Sequence, residues 1–140
     1  GPLAVEASPT AVTAIEDLVV EVHRAPNCGC CIGWEAYMID EGFTVDSWED
    51  PGLTEFKATS GVPMDAMSCH TAIVDGYVVE GHVPVGAILD LLEQRPDIDG
   101  IALPGMPQGS PGMPGEQLAP FEILAFDDGV TSVFGDYLVE

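Results

Sequence analysis

The sequence contains few positively charged residues: lysine and arginine together number 3, against 24 aspartates and glutamates in 140 residues. The formal net charge of −21 at pH 7 repels phosphate backbones and anionic lipid headgroups, so we expect no nucleic-acid partner. The acids are spread through the chain and form no ligand-like cluster. This distribution is typical of a solvated surface suited to high salt, and it favours a halophilic source.

Long apolar runs are also missing, because no segment approaches the roughly 20 residues that a membrane-spanning helix needs. We therefore expect no membrane insertion. The sequence also contains no Ser/His/Asp arrangement, phosphate-binding glycine loop or convincing carboxylate pair, which excludes the usual hydrolase and nucleotide sites. The opening Gly1-Pro2 is typical of a cleaved tag, so we interpret 1–17 as tag remnant and flexible linker, and 18–140 as one domain.

Turn and cap signals divide the rest of the chain into strands and helices. Asp75-Gly76 between two apolar runs is the strongest hairpin signal, since this dipeptide suits a type I′ turn. The predicted elements are a strand at 18–24, a helix at 30–41, a strand at 43–48, a helix at 50–59, strands at 69–74 and 77–80, and a helix from Pro84 to Arg95. This order predicts an α/β fold with a thioredoxin-like βαβ-ββα core.

The last third of the chain extends beyond such a core. Residues 104–115 repeat the unit Pro-Gly-Met-Pro and predict a Pro/Gly loop with no helix or central strand. Residues 121–134 predict an additional C-terminal β-hairpin, either an added sheet edge or a small flap.

Four cysteines carry the strongest functional signal. Cys28, Cys30 and Cys31 lie where the first strand meets the first helix, and Cys69 begins the predicted third strand. A helix N-terminus lowers thiol pKa values, and thiolates are soft metal ligands. Gly29 is expected to let Cys28 fold back toward the other two sulfurs. The inferred strand order places Cys69 beside that helix end, which predicts a four-sulfur site.

Three chemistries compete for these cysteines. Two disulfides are disfavoured because the neighbours Cys30 and Cys31 bond to each other only with strain. The Cys28-to-Cys31 spacing is that of dithiol oxidoreductases, although the two extra thiols would promote mispairing. Crowded thiolates suit Cu(I), which they can bridge in a multinuclear cluster, better than structural zinc. We predict a copper-binding protein, with a thiol-disulfide oxidoreductase acting on copper proteins as the alternative.

The motifs that surround the cysteines resemble the CopG-like copper-resistance family, also catalogued as domain of unknown function number 411. The resemblance covers nearly the whole of 18–115 and begins with the cysteine motif and Gly33-Trp34. The further segments that carry it are Gly61-Val-Pro63, Ser68-Cys-His-Thr71, Asp75-Gly-Tyr77, Glu80-Gly-His-Val-Pro84, Gly105-Met-Pro107 and Gly109-Ser-Pro-Gly-Met113. It implies a thioredoxin-like fold, metal binding and a role in copper resistance alongside other copper-resistance proteins, commonly outside the cytoplasm. The sequence itself shows no export signal and leaves a cytoplasmic location open.

Several side chains are candidates for extra ligands or for support of the thiols. On a strand the side chain of His70 should point away from that of Cys69 unless the backbone is irregular there, which favours a supporting role over ligation. His82 precedes Pro84 in a loop expected near the site. Thioether sulfur is a soft ligand, so we add a further group of candidates: Met67, Met106 and Met113. We expect a binding protein; any catalysis would be thiol or copper redox chemistry.

Overall fold

A computed structural model describes residues 17–139 of the protein, so the predicted tag remnant and linker lie outside the described residues, except for Asp17. This part of the chain forms seven strands and three α-helices. In chain order these are β1 (Val19–Arg24), α1 (Gly29–Asp40), β2 (Thr44–Glu49), α2 (Leu53–Thr59), β3 (His70–Val74), β4 (Tyr77–Gly81), α3 (Val85–Gln94), β5 (Gly100–Leu103), β6 (Phe121–Asp127) and β7 (Val130–Tyr137).

All seven strands belong to one mixed sheet, in the order β2-β1-β3-β4-β5-β6-β7. β1 is parallel to β2 and antiparallel to β3, while β4 is parallel to β5. The predicted α/β class is therefore confirmed, and the C-terminal hairpin is an added sheet edge. Strand β5, which joins this hairpin to β4, was absent from the prediction. Its four residues are all buried, so they show no alternation of polar and apolar side chains.

The central strands β3, β4 and β5 are buried on both faces of the sheet, and the two faces carry separate apolar clusters. Val79 packs in the main core with residues of α1 and α3, such as Trp34 and Leu91. Its neighbour Val78 points to the opposite face and packs in a smaller cluster with Phe126. Helix α2 lies on this second face. The N-terminus of α1, which carries three cysteines, is thereby fixed above one end of the central strands.

The second helix begins at Leu53, later than the predicted Asp50, because the Asp50 carboxylate accepts a hydrogen bond from the Gly52 N–H at 2.8 Å. This Asx turn occupies the first residues of the predicted helix. The other predicted boundaries lie within about three residues of the observed ones, as is usual for frayed ends.

The predicted Pro/Gly loop contains no helix or strand, and it packs against the start of α1. Gly112 has φ +91°, and a Cβ atom there would lie 2.6 Å from the Trp34 backbone nitrogen and 2.7 Å from the Cys30 carbonyl oxygen. Glycine is required at this position by both the backbone conformation and the close approach. The loop thus reaches the same helix end as the cysteines.

Candidate metal centre

The three clustered cysteines occupy the turn and first residues of α1. Cys28 is the N-cap in an extended conformation, and its carbonyl accepts the first helical hydrogen bond, from Ile32 at 3.1 Å. The reversal before the helix comes from Asn27, whose φ is 60°. The expected role of Gly29 was therefore wrong: Gly29 is an ordinary helical residue, and a Cβ atom there would meet nothing within 4 Å.

The fold brings all four cysteine sulfurs within 4.8 Å of one another. Cys30 Sγ lies 3.6 Å from Cys28 Sγ and 3.7 Å from Cys69 Sγ. Cys69 directly precedes β3, 39 residues from Cys30 in sequence. The structure therefore brings together all four cysteines that the sequence proposed for one site.

Two of the four sulfurs are joined in a disulfide, between Cys28 and Cys31. Cys30 and Cys69 are the free thiols of residues 17–139. The pairing uses the CxxC spacing typical of dithiol oxidoreductases. In this form two sulfurs are available as ligands, and the disulfide must be reduced before all four can bind a metal.

Two buried histidines contact Cys69. His82 Nε2 lies 2.9 Å from Cys69 Sγ, and His82 Nδ1 lies 2.5 Å from the Pro111 carbonyl oxygen. Because the carbonyl can only accept, Nδ1 carries the proton, which leaves the Nε2 lone pair of neutral His82 facing the sulfur. His70 Nδ1 is 3.3 Å from the same sulfur. His70 was expected to point away only on a regular strand; Cys69 lies just outside β3, and there the His70 ring contacts its sulfur.

These surroundings favour neutral side chains around Cys69. Burial raises the pKa of the Cys69 thiol to about 12, with a further contribution from neighbouring Cys30. Burial also lowers the pKa of His82, and it lowers that of His70 well below the usual histidine value. The helix-end argument for a thiolate therefore does not extend to Cys69, which lies outside the helix. In the absence of metal, Cys69 is a thiol beside two neutral imidazoles.

The candidate methionines occupy different surroundings. Met106, half exposed on the Pro/Gly loop, places its Sδ 3.6 Å from Cys30 Sγ. Met67 packs against the smaller core cluster, and its carbonyl accepts a hydrogen bond from Gly105. Met113 is partly buried, and its N–H bonds to Ser110 within the loop. Of the three, the structure brings Met106 to the thiols.

Sequence reasoning missed a buried ion pair beside the site. Lys57 Nζ lies 2.5 Å from Glu80 Oε2, and Glu80 is fully buried. One available signal was the position of Glu80 in a strand whose neighbouring residues are apolar. Another was that Lys57 is the only lysine in a strongly acidic chain.

The chain is similar to one described protein family and to two solved structures. The profile of the family described as "Protein of unknown function, DUF411" matches residues 66–113. No curated protein matches the chain. The solved structure of a copper resistance protein copG, form 1, is 40% identical, with a TM-score of 0.78 over 85% of this chain and 96% of that one. Form 2 is 41% identical, with a TM-score of 0.79 over 86% and 98%.

The similarity extends over nearly the full length of these relatives and over 85–86% of this chain. No helix within residues 17–139 is both long and apolar enough to cross a membrane. Identity of 40–41% over this coverage shows common descent as well as a common fold. The chain belongs to the CopG-like copper-resistance family.

Proposed function

We propose that this protein binds copper and sequesters or relays Cu(I) through the thiolates of Cys28, Cys30, Cys31 and Cys69. The observation that carries the proposal is the convergence of four sulfurs within 4.8 Å from two distant parts of the chain. Thiolate and thioether sulfur select Cu(I) over hard cations such as Mg²⁺ or Ca²⁺. Sulfurs this close can each bridge two copper ions, which supports a multinuclear cluster.

Loading such a site requires two chemical changes. A dithiol reductant must supply two electrons and two protons to convert the Cys28–Cys31 disulfide to two thiols, becoming a disulfide itself, and the ligating thiols must then lose their protons. His82 Nε2 faces Cys69 at 2.9 Å and offers a neutral nitrogen as an additional ligand or as a hydrogen-bond partner. Met106 offers a thioether next to Cys30. We assign Met67 and Met113 to the packing of the loop.

The wider interpretation follows from the fold and family. The order β2-β1-β3-β4, with α1 between parallel strands, supports a thioredoxin-like core within one domain at 18–140. The relatives are copper-resistance proteins, which supports a role in copper resistance with copper ions as cargo. We propose an extracytoplasmic location on the same basis.

Cys30→Ser tests the copper site. Cys30 contributes to the proposed site but takes no part in the disulfide. We expect its loss to weaken Cu(I) binding by more than about tenfold, the lower bound for losing even an outer partner of a metal ligand. The measurement is bound copper per protein, and competition with a Cu(I) chelator, after purification under reducing conditions with copper supplied. Unchanged copper stoichiometry and affinity in Cys30→Ser would contradict the proposal.

Two further measurements sharpen this test. Met106→Leu should weaken copper binding, but less than Cys30→Ser does. Met64→Leu is the matched control and should leave copper binding unchanged, because the Met64 side chain is 87% exposed. Copper should also raise the melting temperature of the reduced protein, since a ligand that binds only the folded state stabilises it. If the metal-free and copper-supplied proteins melt at the same temperature, copper is not a ligand of the folded site.

A second function is favoured by the Cys28–Cys31 disulfide, which has the spacing of a thiol-disulfide oxidoreductase. Under this alternative, Cys30→Ser leaves disulfide exchange with a reduced dithiol intact, whereas Cys31→Ser abolishes it. The same pair of variants separates the two functions, because copper binding depends on both residues.

A further inference from the structure

A buried carboxylate binds the chain on both sides of Cys69. Glu80 Oε2 accepts a hydrogen bond from the Ser68 backbone N–H at 2.8 Å, and Glu80 Oε1 accepts one from the Thr71 hydroxyl at 2.6 Å. Ser68 and Thr71 flank the dipeptide Cys69-His70. The side chain of Glu80 therefore binds both ends of the short segment that carries the Cys69 sulfur.

The carboxylate is neutralised by the single lysine of the chain. Lys57 Nζ, on α2, contacts Glu80 Oε2 at 2.5 Å and the Thr71 hydroxyl oxygen at 3.0 Å. We call this set of four residues, Lys57, Ser68, Thr71 and Glu80, the Glu80 network. Thr71 and Glu80 are register partners on the neighbouring strands β3 and β4, so their side chains lie on the same face of the sheet, the face on which α2 lies. The thiols lie beyond the end of these strands.

Such an arrangement is costly if its role is only to stabilise the fold. Desolvating two charges offsets most of their attraction, and apolar residues of similar volume often stabilise a protein as much or more. Apolar residues could not bind the Ser68 N–H, however. The Ser68 segment is also where regular pairing ends, because β3 starts at His70. Ser68 is held there by two contacts outside the strand ladder: its N–H donates to Glu80 Oε2, and its hydroxyl donates to the Gly105 carbonyl oxygen. Of these, only the Glu80 contact comes from a side chain that also binds Thr71.

We propose that Glu80 is a positioning residue, which holds the Cys69 sulfur opposite Cys30 and His82 by binding Ser68 and Thr71. Glu80 lies at the end of β4, two residues before His82. The end of β4 therefore determines the position of His82 directly and the position of Cys69 through the contacts of Glu80. The inference rests on the proposed copper site for its copper readout alone. Its second readout uses the metal-free protein.

The first experiment compares two double variants that both remove the buried charges. Lys57→Met/Glu80→Gln keeps an amide oxygen that can accept the Ser68 hydrogen bond. Lys57→Met/Glu80→Met has similar volume but offers only a thioether sulfur, which is a weak acceptor, in place of the oxygen. We expect the Gln variant to bind Cu(I) within about threefold of wild type and the Met variant to bind at least about tenfold more weakly, as for an outer partner of a metal ligand.

A control separates positioning from general stability. Tyr77→Phe, on the same strand, removes a hydrogen bond to the Pro96 carbonyl at the opposite end of β4. We expect it to lower the melting temperature and leave copper affinity unchanged. The proposal is overturned if the Gln and Met variants bind copper equally, or if copper affinity follows melting temperature across all three variants.

The second experiment needs no copper. In a Cys28→Ser/Cys31→Ser background, Cys30 and Cys69 are left 3.7 Å apart. Diamide, which accepts two electrons and two protons as the two thiols form one disulfide, should join them rapidly. Adding Lys57→Met/Glu80→Met should slow this step at least threefold, and adding Lys57→Met/Glu80→Gln should not. Equal rates overturn the positioning role, whereas a wild type that fails to bind copper overturns only the proposed function.

Discussion

The contact between the Pro/Gly loop and α1 allows a sharp test of how the site is assembled. Gly112→Ala places a methyl group 2.6 Å from the Trp34 nitrogen and 2.7 Å from the Cys30 carbonyl oxygen, at φ +91°. A residue with a Cβ costs about 1–2 kcal/mol in the left-handed region. Overlap with the backbone adds about 1–3 kcal/mol, the usual cost of overpacking. We therefore expect a loss of about 2–5 kcal/mol in the free energy of unfolding.

Gly105→Ala is the matched control. Gly105 belongs to the same loop and also has positive φ, +71°, but a Cβ atom there meets nothing within 4 Å. It should lose only the conformational part, about 1–2 kcal/mol. At roughly 3 °C per kcal/mol for a domain of this size, we expect Tm to fall by about 6–15 °C for Gly112→Ala and about 3–6 °C for Gly105→Ala.

The assay is thermal unfolding of the reduced, metal-free proteins followed by circular dichroism, together with Cu(I) competition. Displacing Gly112 also displaces the Pro111 carbonyl that accepts the hydrogen bond from His82. Copper affinity should therefore fall in Gly112→Ala more than in Gly105→Ala. Equal losses of Tm in the two variants would refute the close packing of the loop on the helix.

Two further predictions concern charge. Burial lowers the pKa of His23, but its contacts with Glu21 and Asp50 outweigh burial and raise it overall. The contacts of protonated His23 with these two carboxylates stabilise the folded protein fully at pH values below the unfolded histidine pKa near 6.5. This stabilisation is lost as the pH rises through the pKa of His23 in the folded protein. His23→Phe retains an aromatic ring against Phe56 but cannot be charged. Its Tm should thus fall further below that of the wild type at pH 6 than at pH 9. A difference in Tm that does not depend on pH contradicts this. Raising KCl from about 0.1 to 2 M should raise the wild-type Tm by screening the net charge of −21, and a fall would contradict a surface suited to salt.

Much of the secondary structure could be predicted from local signals. The Asp75-Gly76 hairpin, the helix after the cysteine motif and the irregular Pro/Gly loop depend on turn chemistry and apolar spacing within about ten residues. Strand β5 could not be found in this way, because a strand buried on both faces shows no alternation. This segment forms a strand because β4 and β6, which lie before and after it in the chain, pair with it on its two sides.

For the site, the clustering of Cys28, Cys30 and Cys31 and the soft character of their sulfurs follow from the sequence alone, as does the case for Cu(I) over hard cations. The strand order inferred from the sequence also placed Cys69 at the helix end that carries these cysteines. Only the tertiary structure gives its distance to Cys30, shows His70 and His82 against the same sulfur, and pairs the buried Glu80 with Lys57. Local patterns determine which residue types are available. Distances and pKa values depend on burial and on contacts between segments far apart in sequence, and these exist only once the chain has folded.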